Sequence, residues 1–128
     1  MSAMRLLIVD DDPLMGDLVR KVSEQLGYAV ETYTEAAGFE AAVARAEPDV
    51  VVLDLNMPDI DGIGLMRRLA AKGSHAKIFI MSGVDPINQM MAEKMGESLG
   101  LTMGGIIPKP VRVAELKAML TPMKTANP

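Results

Sequence analysis

Short apolar runs alternate with segments of helical periodicity along this chain, and that alternation restricts the fold more than any other feature. Five runs have the length of a β-strand: RLLIVD, YAVETYT, DVVVLDL, AKIFIMS and GGIIP. Between them, apolar residues recur at helical spacing, as from Leu14 to Leu26 and from Phe39 to Ala46. Strands that alternate with helices build a parallel sheet covered on both faces. The sequence therefore predicts an α/β fold with a doubly wound parallel sheet of five strands and about five helices.

Glycine and proline residues mark where the predicted elements end. Four of them follow the first four helices in turn: Gly27, Pro48, Gly73 and Gly100. The fourth helix is predicted from Pro86 to Leu99 and the last from Val113 to Leu120. Pro108 cannot donate a hydrogen bond within a sheet, so the fifth strand is predicted to be an edge strand or to end there.

Length and composition exclude several classes of protein. A chain of 128 residues has room for one domain, and no apolar run approaches the length of a membrane span. The first residues, MSAMRLLIVDDD, lack the regions of a secretory signal, which favours a cytoplasmic protein. The absence of cysteine excludes disulfides and thiolate catalysis. A net charge of -4 argues against nucleic-acid binding, so we expect a protein or a small ion as partner, and no membrane.

Polar residues follow four of the five predicted strands. In open parallel sheets, ligands bind outside the carboxyl ends of the strands. The residues found at those ends are Asp10, Asp11 and Asp12, then Asp54 and Asn56, then Ser82 and Gly83, and finally Lys109. The sequence therefore predicts one site at that edge of the sheet.

The charges of this predicted site indicate a divalent cation. Asp10, Asp11 and Asp54 together carry more negative charge than Lys109 can neutralise. Oxygen ligands without nearby histidine or cysteine are typical of Mg²⁺. A carboxylate, a lysine and a small hydroxyl group beside Mg²⁺ are suited to phosphoryl transfer, with Asp54 as the nucleophile.

Simpler interpretations exist for several residues near the site. Ser82 is also typical of a turn, and an isolated lysine such as Lys109 is more often solvated than a ligand. Asp12 before Pro13 is typical of a helix N-cap. His75 is predicted to be an ordinary solvent-facing residue.

The methionines around the fourth helix also have a simple interpretation. Met81, Met90, Met91 and Met95 are predicted to fill the core, with a methionine-rich partner surface as the less favoured interpretation.

Over nearly its whole length the sequence resembles the receiver domains of two-component response regulators. The resemblance is carried by the acid pair Asp10 and Asp11, the segment DLNMPDIDG from Asp54, the Ser82 and Gly83 pair, and the Lys109 and Pro110 pair. These motifs occur in the order of the family and at its approximate spacings. The resemblance implies a flavodoxin-like sheet with strand order 2-1-3-4-5.

The resemblance also implies roles for the site residues. Asp54 would accept a phosphoryl group from a histidine kinase or a histidine phosphotransfer protein. Asp11, Asp54 and the Asn56 carbonyl would hold Mg²⁺, with Asp10 acting through water. Ser82, Lys109 and the Gly83 backbone would contact the phosphoryl oxygens. The Lys109–Pro110 peptide would be cis.

Two positions depart from, or vary within, the family's pattern. Ile106 stands where family members usually carry an aromatic residue that moves inward with the hydroxyl residue, so an aromatic switch is not expected here. Val84, two positions after Ser82, cannot hold an attacking water by hydrogen bonding, so we expect it not to shorten the lifetime of the phosphate.

The resulting hypothesis is a receiver domain at residues 1–121, followed by a tail or the start of a linker at 122–128. The domain would phosphorylate and dephosphorylate itself rather than turn over a substrate. It would act on a downstream protein or a tethered output domain, and a homodimer through the fourth helix and fifth strand is compatible with the family.

Two alternatives remain open at this stage. A phosphatase of the haloacid dehalogenase type usually needs a second acid where this chain has Asn56, and it needs a cap domain. A phosphorylation-independent binding module of the same fold should have lost Asp54 or Lys109, and both are present.

Overall fold

The computed structural model describes residues 3–55, 62–83 and 86–121, and in these residues strands and helices alternate as the sequence predicts. The five strands are β1 Arg5–Val9, β2 Ala29–Tyr33, β3 Val50–Asp54, β4 Lys77–Ser82 and β5 Thr102–Pro108. The five helices are α1 Pro13–Gln25, α2 Ala36–Arg45, α3 Gly62–Ala71, α4 Pro86–Ser98 and α5 Val113–Leu120. Asn56, a predicted metal ligand, and Val84 lie outside the described residues.

All strands are parallel and lie in the order β2-β1-β3-β4-β5, which confirms the predicted topology. The central strand β3 is buried throughout, as its continuous apolar run requires. β5 is an edge strand and ends at Pro108, so both interpretations of that proline hold.

Two apolar cores cover the two faces of the sheet. One joins buried residues of α2, α3 and α4 to strand residues such as Leu7, Leu53 and Ile80. The other joins α1 and α5 to residues such as Ile8 and Met81. Alternation of side chains along each strand sends neighbouring residues to opposite cores.

The ends of α1 follow the sequence signals. Asp12 is the N-cap, and its Oδ1 accepts a hydrogen bond of 3.0 Å from the Leu14 N–H, with Pro13 in the first turn. The chain then reverses at Gly27, whose φ of 100° lies in the left-handed region that favours glycine.

A β-bulge interrupts the pairing of β4 with β5. Met103 pairs with Ile78 and Gly105 pairs with Phe79, which leaves Gly104 as the extra residue. A Cβ at Gly104 would lie 2.7 Å from the Phe79 ring, so only glycine leaves room for that ring. Ile106 comes next, half-buried beside Ile80.

The methionines of α4 correct one prediction. Met81 fills the core, as expected, but Met90 and Met91 are 52% and 60% exposed. The physical reason is that α4 buries only Ala92 and Gly96, so its larger side chains point to solvent. Met95 is half-buried.

His75 is exposed, which confirms its solvent-facing interpretation. Among the helices of the described ranges, none is long and apolar enough to cross a lipid bilayer.

Candidate functional site

The carboxyl ends of β1, β3 and β4 place three polar residues of the predicted site in the interior. Asp10, directly after β1, is 1% exposed, and Asp54, the last residue of β3, is 3% exposed. Ser82, the last residue of β4, is 1% exposed. Each of them follows a buried apolar run, so the sheet itself carries these polar groups into a water-poor region.

Three carboxylates converge at this edge. Asp10, Asp11 and Asp54 each offer an oxygen, and these oxygens lie within 4.8 Å of one another. Asp11 is exposed, whereas the other two are buried. The cluster therefore opens to solvent on the side of Asp11.

Lys109 supplies the cation that faces these acids. Its Nζ lies 3.3 Å from Asp10 Oδ2 and 3.4 Å from Asp54 Oδ1. The backbone places this lysine because its N–H donates a 3.1 Å hydrogen bond to the Ser82 carbonyl. The Lys109–Pro110 peptide is cis, as the resemblance implies.

Gly83 lets the ends of β4 and β5 approach each other. A Cβ at this position would lie 2.9 Å from the Lys109 Cβ and 3.4 Å from its carbonyl oxygen. A larger residue would therefore have to move the segment that carries Lys109. The glycine is exposed, which leaves its backbone accessible at the edge of the site.

Burial sets the protonation of the Asp10 carboxyl. Its pKa is raised from 3.8 to about 6, with desolvation as the largest cause and the Asp54 charge acting in the same direction. The Asp12 N–H, which donates a 2.9 Å hydrogen bond to Asp10 Oδ1, and the Lys109 charge both lower it. Repulsion and burial together therefore make this carboxylate costly to ionise.

Burial and the neighbouring acids shift the pKa of Lys109 in opposite directions. Desolvation lowers the pKa of the ammonium group, but the charges of Asp10 and Asp54 outweigh it and raise the pKa above its ordinary value of 10.5. Lys109 is therefore protonated at neutral pH.

The donor set fits a divalent metal ion. The ligands are carboxylate oxygens, and two negative charges remain in excess after Lys109 is counted. Asp10 Oδ2 is buried and has no hydrogen-bond partner, although it lies at ion-pair distance from Lys109. Hard oxygen ligands of this kind suit Mg²⁺.

The structure thus brings together the predicted residues Asp10, Asp11, Asp54, Ser82 and Lys109, with Gly83 beside Lys109. The predicted ligand Asn56 lies outside the described residues.

Sequence reasoning missed Gln89 of α4. Its Nε2 donates a 3.1 Å hydrogen bond to the Ser82 carbonyl. A polar residue in the first turns of an exposed helix gives no signal in the sequence for such a contact.

Comparison with known proteins assigns the family. The sequence matches the family described as "Response regulator receiver domain" over residues 6–121. It is 33% identical over 119 residues to "Response regulator MprA" of Mycobacterium leprae (strain TN), covering 91% of this chain and 49% of that protein. The chain therefore spans about half the length of this curated relative.

Solved structures agree with the fold. The crystal structure of a response regulator from Colwellia psychrerythraea is 33% identical, with a TM-score of 0.81, and the match covers 94% of this chain and 95% of that one. The chemotaxis response regulator CheY4 of Vibrio cholerae is 22% identical, with a TM-score of 0.80 and coverage of 93% and 97%, and it supports the fold alone. The chain belongs to the family of response regulator receiver domains, which act as signalling switches in two-component systems.

Proposed function

We propose that this chain is a phosphorylation-activated receiver domain whose phosphoacceptor is Asp54. The observation that carries the proposal is the position of this buried carboxylate at the end of the central strand. Oxygens of Asp10 and Asp11 lie within 4.8 Å of it, and Lys109 Nζ lies 3.4 Å from its Oδ1. A solvated turn acid would need neither the burial nor the compensating cation.

In the proposed reaction an Asp54 carboxylate oxygen bonds to the phosphorus of a phosphohistidine. The P–N bond breaks, and the imidazole leaves with its electron pair and takes up a proton. An acyl phosphate forms on Asp54, and water later hydrolyses it to restore the carboxylate. The donor would be a histidine kinase or a histidine phosphotransfer protein.

The metal site uses the three carboxylates. Asp11, Asp54 and the Asn56 carbonyl would hold Mg²⁺, with Asp10 acting through water. When bound, Mg²⁺ supplies neutralisation of the charge on the acids and on the phosphoryl oxygens. The excess negative charge and the buried Asp10 Oδ2, which has no hydrogen-bond partner and only the Lys109 ammonium nearby, support this assignment.

Lys109, Ser82 and Gly83 would contact the phosphoryl group. The Lys109 ammonium is held protonated by its acidic neighbours, so it carries the positive charge that phosphoryl oxygens require. The Ser82 hydroxyl at the end of β4 and the N–H of the following Gly83, whose backbone lies close to Lys109, would act as neutral donors.

The phosphoryl charge would then shift a surface formed by α4 and β5 between two arrangements. That surface would act on a downstream protein or a tethered output domain in the cytoplasm, and it could also form a homodimer. The exposed Ile87, Met90 and Met91 on α4 support a role in protein contacts.

The intact mass after incubation with acetyl phosphate and Mg²⁺ tests this proposal. We expect one added phosphoryl group, absent from the isosteric variant Asp54→Asn and absent when the metal is removed. An added phosphate that persists in Asp54→Asn would contradict the assignment of the acceptor.

A failure of phosphorylation can also be interpreted. If no mass is added but calorimetry detects Mg²⁺ binding, a phosphorylated histidine phosphotransfer protein is tried as the phosphoryl donor. No transfer from either donor and no Mg²⁺ binding would overturn the proposal in favour of a phosphorylation-independent binding module.

A further inference from the structure

A side-chain hydrogen bond joins α4 to the strand end that carries Ser82. Gln89 Nε2 lies 3.1 Å from the Ser82 carbonyl oxygen, and this same oxygen accepts the Lys109 N–H, also at 3.1 Å. A carbonyl oxygen has two lone pairs and can accept both donors. One peptide oxygen therefore links α4, β4 and the segment that carries Lys109.

Apart from this hydrogen bond, α4 buries few side chains against the rest of the protein. Only Ala92 and Gly96 of this helix are buried, and both are small. Met103 of β5 packs at Gly96, far along the helix from Gln89. Near its N-terminal end, α4 instead exposes Ile87, Met90 and Met91. Gln89 thus makes a polar connection between the beginning of this helix and the strand end at the site.

Partial burial strengthens the hydrogen bond of Gln89 by limiting competition from water. Gln89 is half-buried and Ser82 is 1% exposed, so water competes poorly for the shared carbonyl. A movement of the Ser82 backbone displaces this acceptor, and the Gln89 amide and the Lys109 N–H then either follow it or lose their partner.

We infer that Gln89 is a positioning residue that couples the Ser82 and Lys109 pair to the first turns of α4. Gln89 bonds to the Ser82 carbonyl, a group that takes no part in the proposed reaction. The inference rests on the proposed function, because it concerns how a phosphoryl group at Asp54 reaches the α4 surface. Coupling of this kind is a difference in free energy between two arrangements of one connected element.

The test uses the methionine methyl groups as reporters. With ¹³C-methyl methionine, Met90, Met91 and Met95 report on α4, and the buried Met81, next to Ser82, reports on the site. The probe is beryllium trifluoride with Mg²⁺, which imitates an aspartyl phosphate. Chemical-shift changes on adding the probe are compared between the wild type and its variants.

The variants separate hydrogen bonding from helix stability. Gln89→Glu keeps the shape but loses the donor, and Gln89→Ala removes the side chain. Gln89→Lys restores a donor of sufficient length, with nearly the same helix propensity as Gln89→Glu. Asn88→Ala alters the exposed neighbouring amide and serves as the matched control.

We expect the Met81 response in every variant, because Gln89 does not touch the probe. The response of the α4 methionines should fall to less than half in Gln89→Glu and Gln89→Ala, and should be retained in Gln89→Lys and Asn88→Ala. Loss of the α4 response in Gln89→Lys as well would indicate a steric role and overturn the inference.

Other outcomes are equally decisive. If the wild-type Met81 responds and the α4 methionines of Gln89→Glu respond in full, Gln89 is not the coupling residue. If Met81 responds while the α4 methionines of the wild type do not, no coupling exists. If the wild type shows no response at Met81 and no phosphate on Asp54, the proposed function itself fails.

Discussion

The helices α1 and α4 have the same length and both begin with proline, yet the fold holds them very differently. Each has 13 residues and follows a strand that ends at the site. α1 buries Gly16, Val19, Val22 and Ser23, and it has a side-chain N-cap at Asp12. α4 buries only Ala92 and Gly96. The contrast indicates that α1 forms part of the rigid frame, whereas little burial opposes movement of α4.

Their solvent-facing sides differ as well. α1 carries a chain of ion pairs in which Arg20 joins Asp17 and Glu24, and Lys21 also contacts Asp17. α4 exposes Ile87, Met90 and Met91 instead. Flexible methionine side chains adapt to varied partners, whereas a charged surface disfavours apolar contacts. The firmly packed helix thus carries a network of ion pairs on its solvent side, whereas the weakly packed helix exposes three apolar side chains near its beginning.

The largest effect is expected from a buried methyl pair of α1. Val19 is fully buried, so Val19→Ala should lower the free energy of unfolding by about 2–3 kcal/mol through lost burial and a cavity. Met91→Ala on α4 should change it by less than about 0.5 kcal/mol. Urea unfolding of both variants measures the difference, and equal effects would break the comparison.

Ionised Asp10, the residue that follows β1, is expected to lower the free energy of unfolding. Its pKa is raised to about 6 in the folded protein, so the cost of ionising it is absent at low pH and grows as the pH rises through that value. Without metal, Asp10→Asn should gain about 1–3 kcal/mol relative to the wild type between about pH 4 and about pH 7. The reverse trend in urea unfolding would show that Asp10 is stabilised as the carboxylate.

Mg²⁺ should alter that result. In the proposed site Mg²⁺ is held with the help of ionised Asp10 acting through water, so the affinity for the ion should fall as the pH drops below about 6. Added Mg²⁺ should therefore stabilise the wild type more than Asp10→Asn at neutral pH.

The N-cap of α1 should contribute less than its core. Asp12→Ala removes the acceptor of the Leu14 N–H and should cost about 1 kcal/mol. Asp12→Asn keeps a capping oxygen and should stay within a few tenths of the wild type. Thermal unfolding compares them, and equal losses in both variants would point to the charge rather than the cap.

The smallest net effect is expected where α4 meets β5. A Cβ at Gly96 would lie 2.3 Å from Met103 Sδ, so Gly96→Ala must displace that side chain, while the higher helix propensity of alanine offsets about 1 kcal/mol. We expect a net loss below about 1 kcal/mol.

A double-mutant cycle sharpens this prediction. In Gly96→Ala combined with Met103→Ala the clash disappears, so the two changes should be non-additive by about 1 kcal/mol. Additive effects would show that Met103 does not hold α4 through Gly96.

Local patterns predicted most of the fold. Strand-length apolar runs and helix-ending glycines located every element, and the predicted bounds of α5, Val113–Leu120, are those of the structure. The acidic residues after β1 and β3 were also accessible to sequence reasoning, because the carboxyl ends of parallel strands meet at one edge. These features depend on spacing along the chain.

The exposed methionines of α4 could not be predicted in the same way. Periodicity shows which residues share a helix face, but the neighbouring elements determine which face is covered. Here the covered side of α4 holds Ala92 and Gly96, with Met103 packed beside Gly96, and Met90 and Met91 are exposed. The raised pKa of Asp10 likewise depends on its burial and on Asp54 and Lys109, which are far from it in the sequence. Gln89 is close to Ser82 in the sequence, but their contact depends on how α4 lies against the end of β4.

The sequence by itself determined the order of the elements, the cap of α1 and the set of charged residues at one sheet edge, because hydrophobic periodicity and strand ends are local properties. Only the tertiary structure decided how deeply Asp10, Asp54 and Ser82 are buried, where the Lys109 ammonium lies and how α4 is attached. Burial and electrostatic interaction depend on the separation of atoms in space, and packing of the whole chain sets those separations.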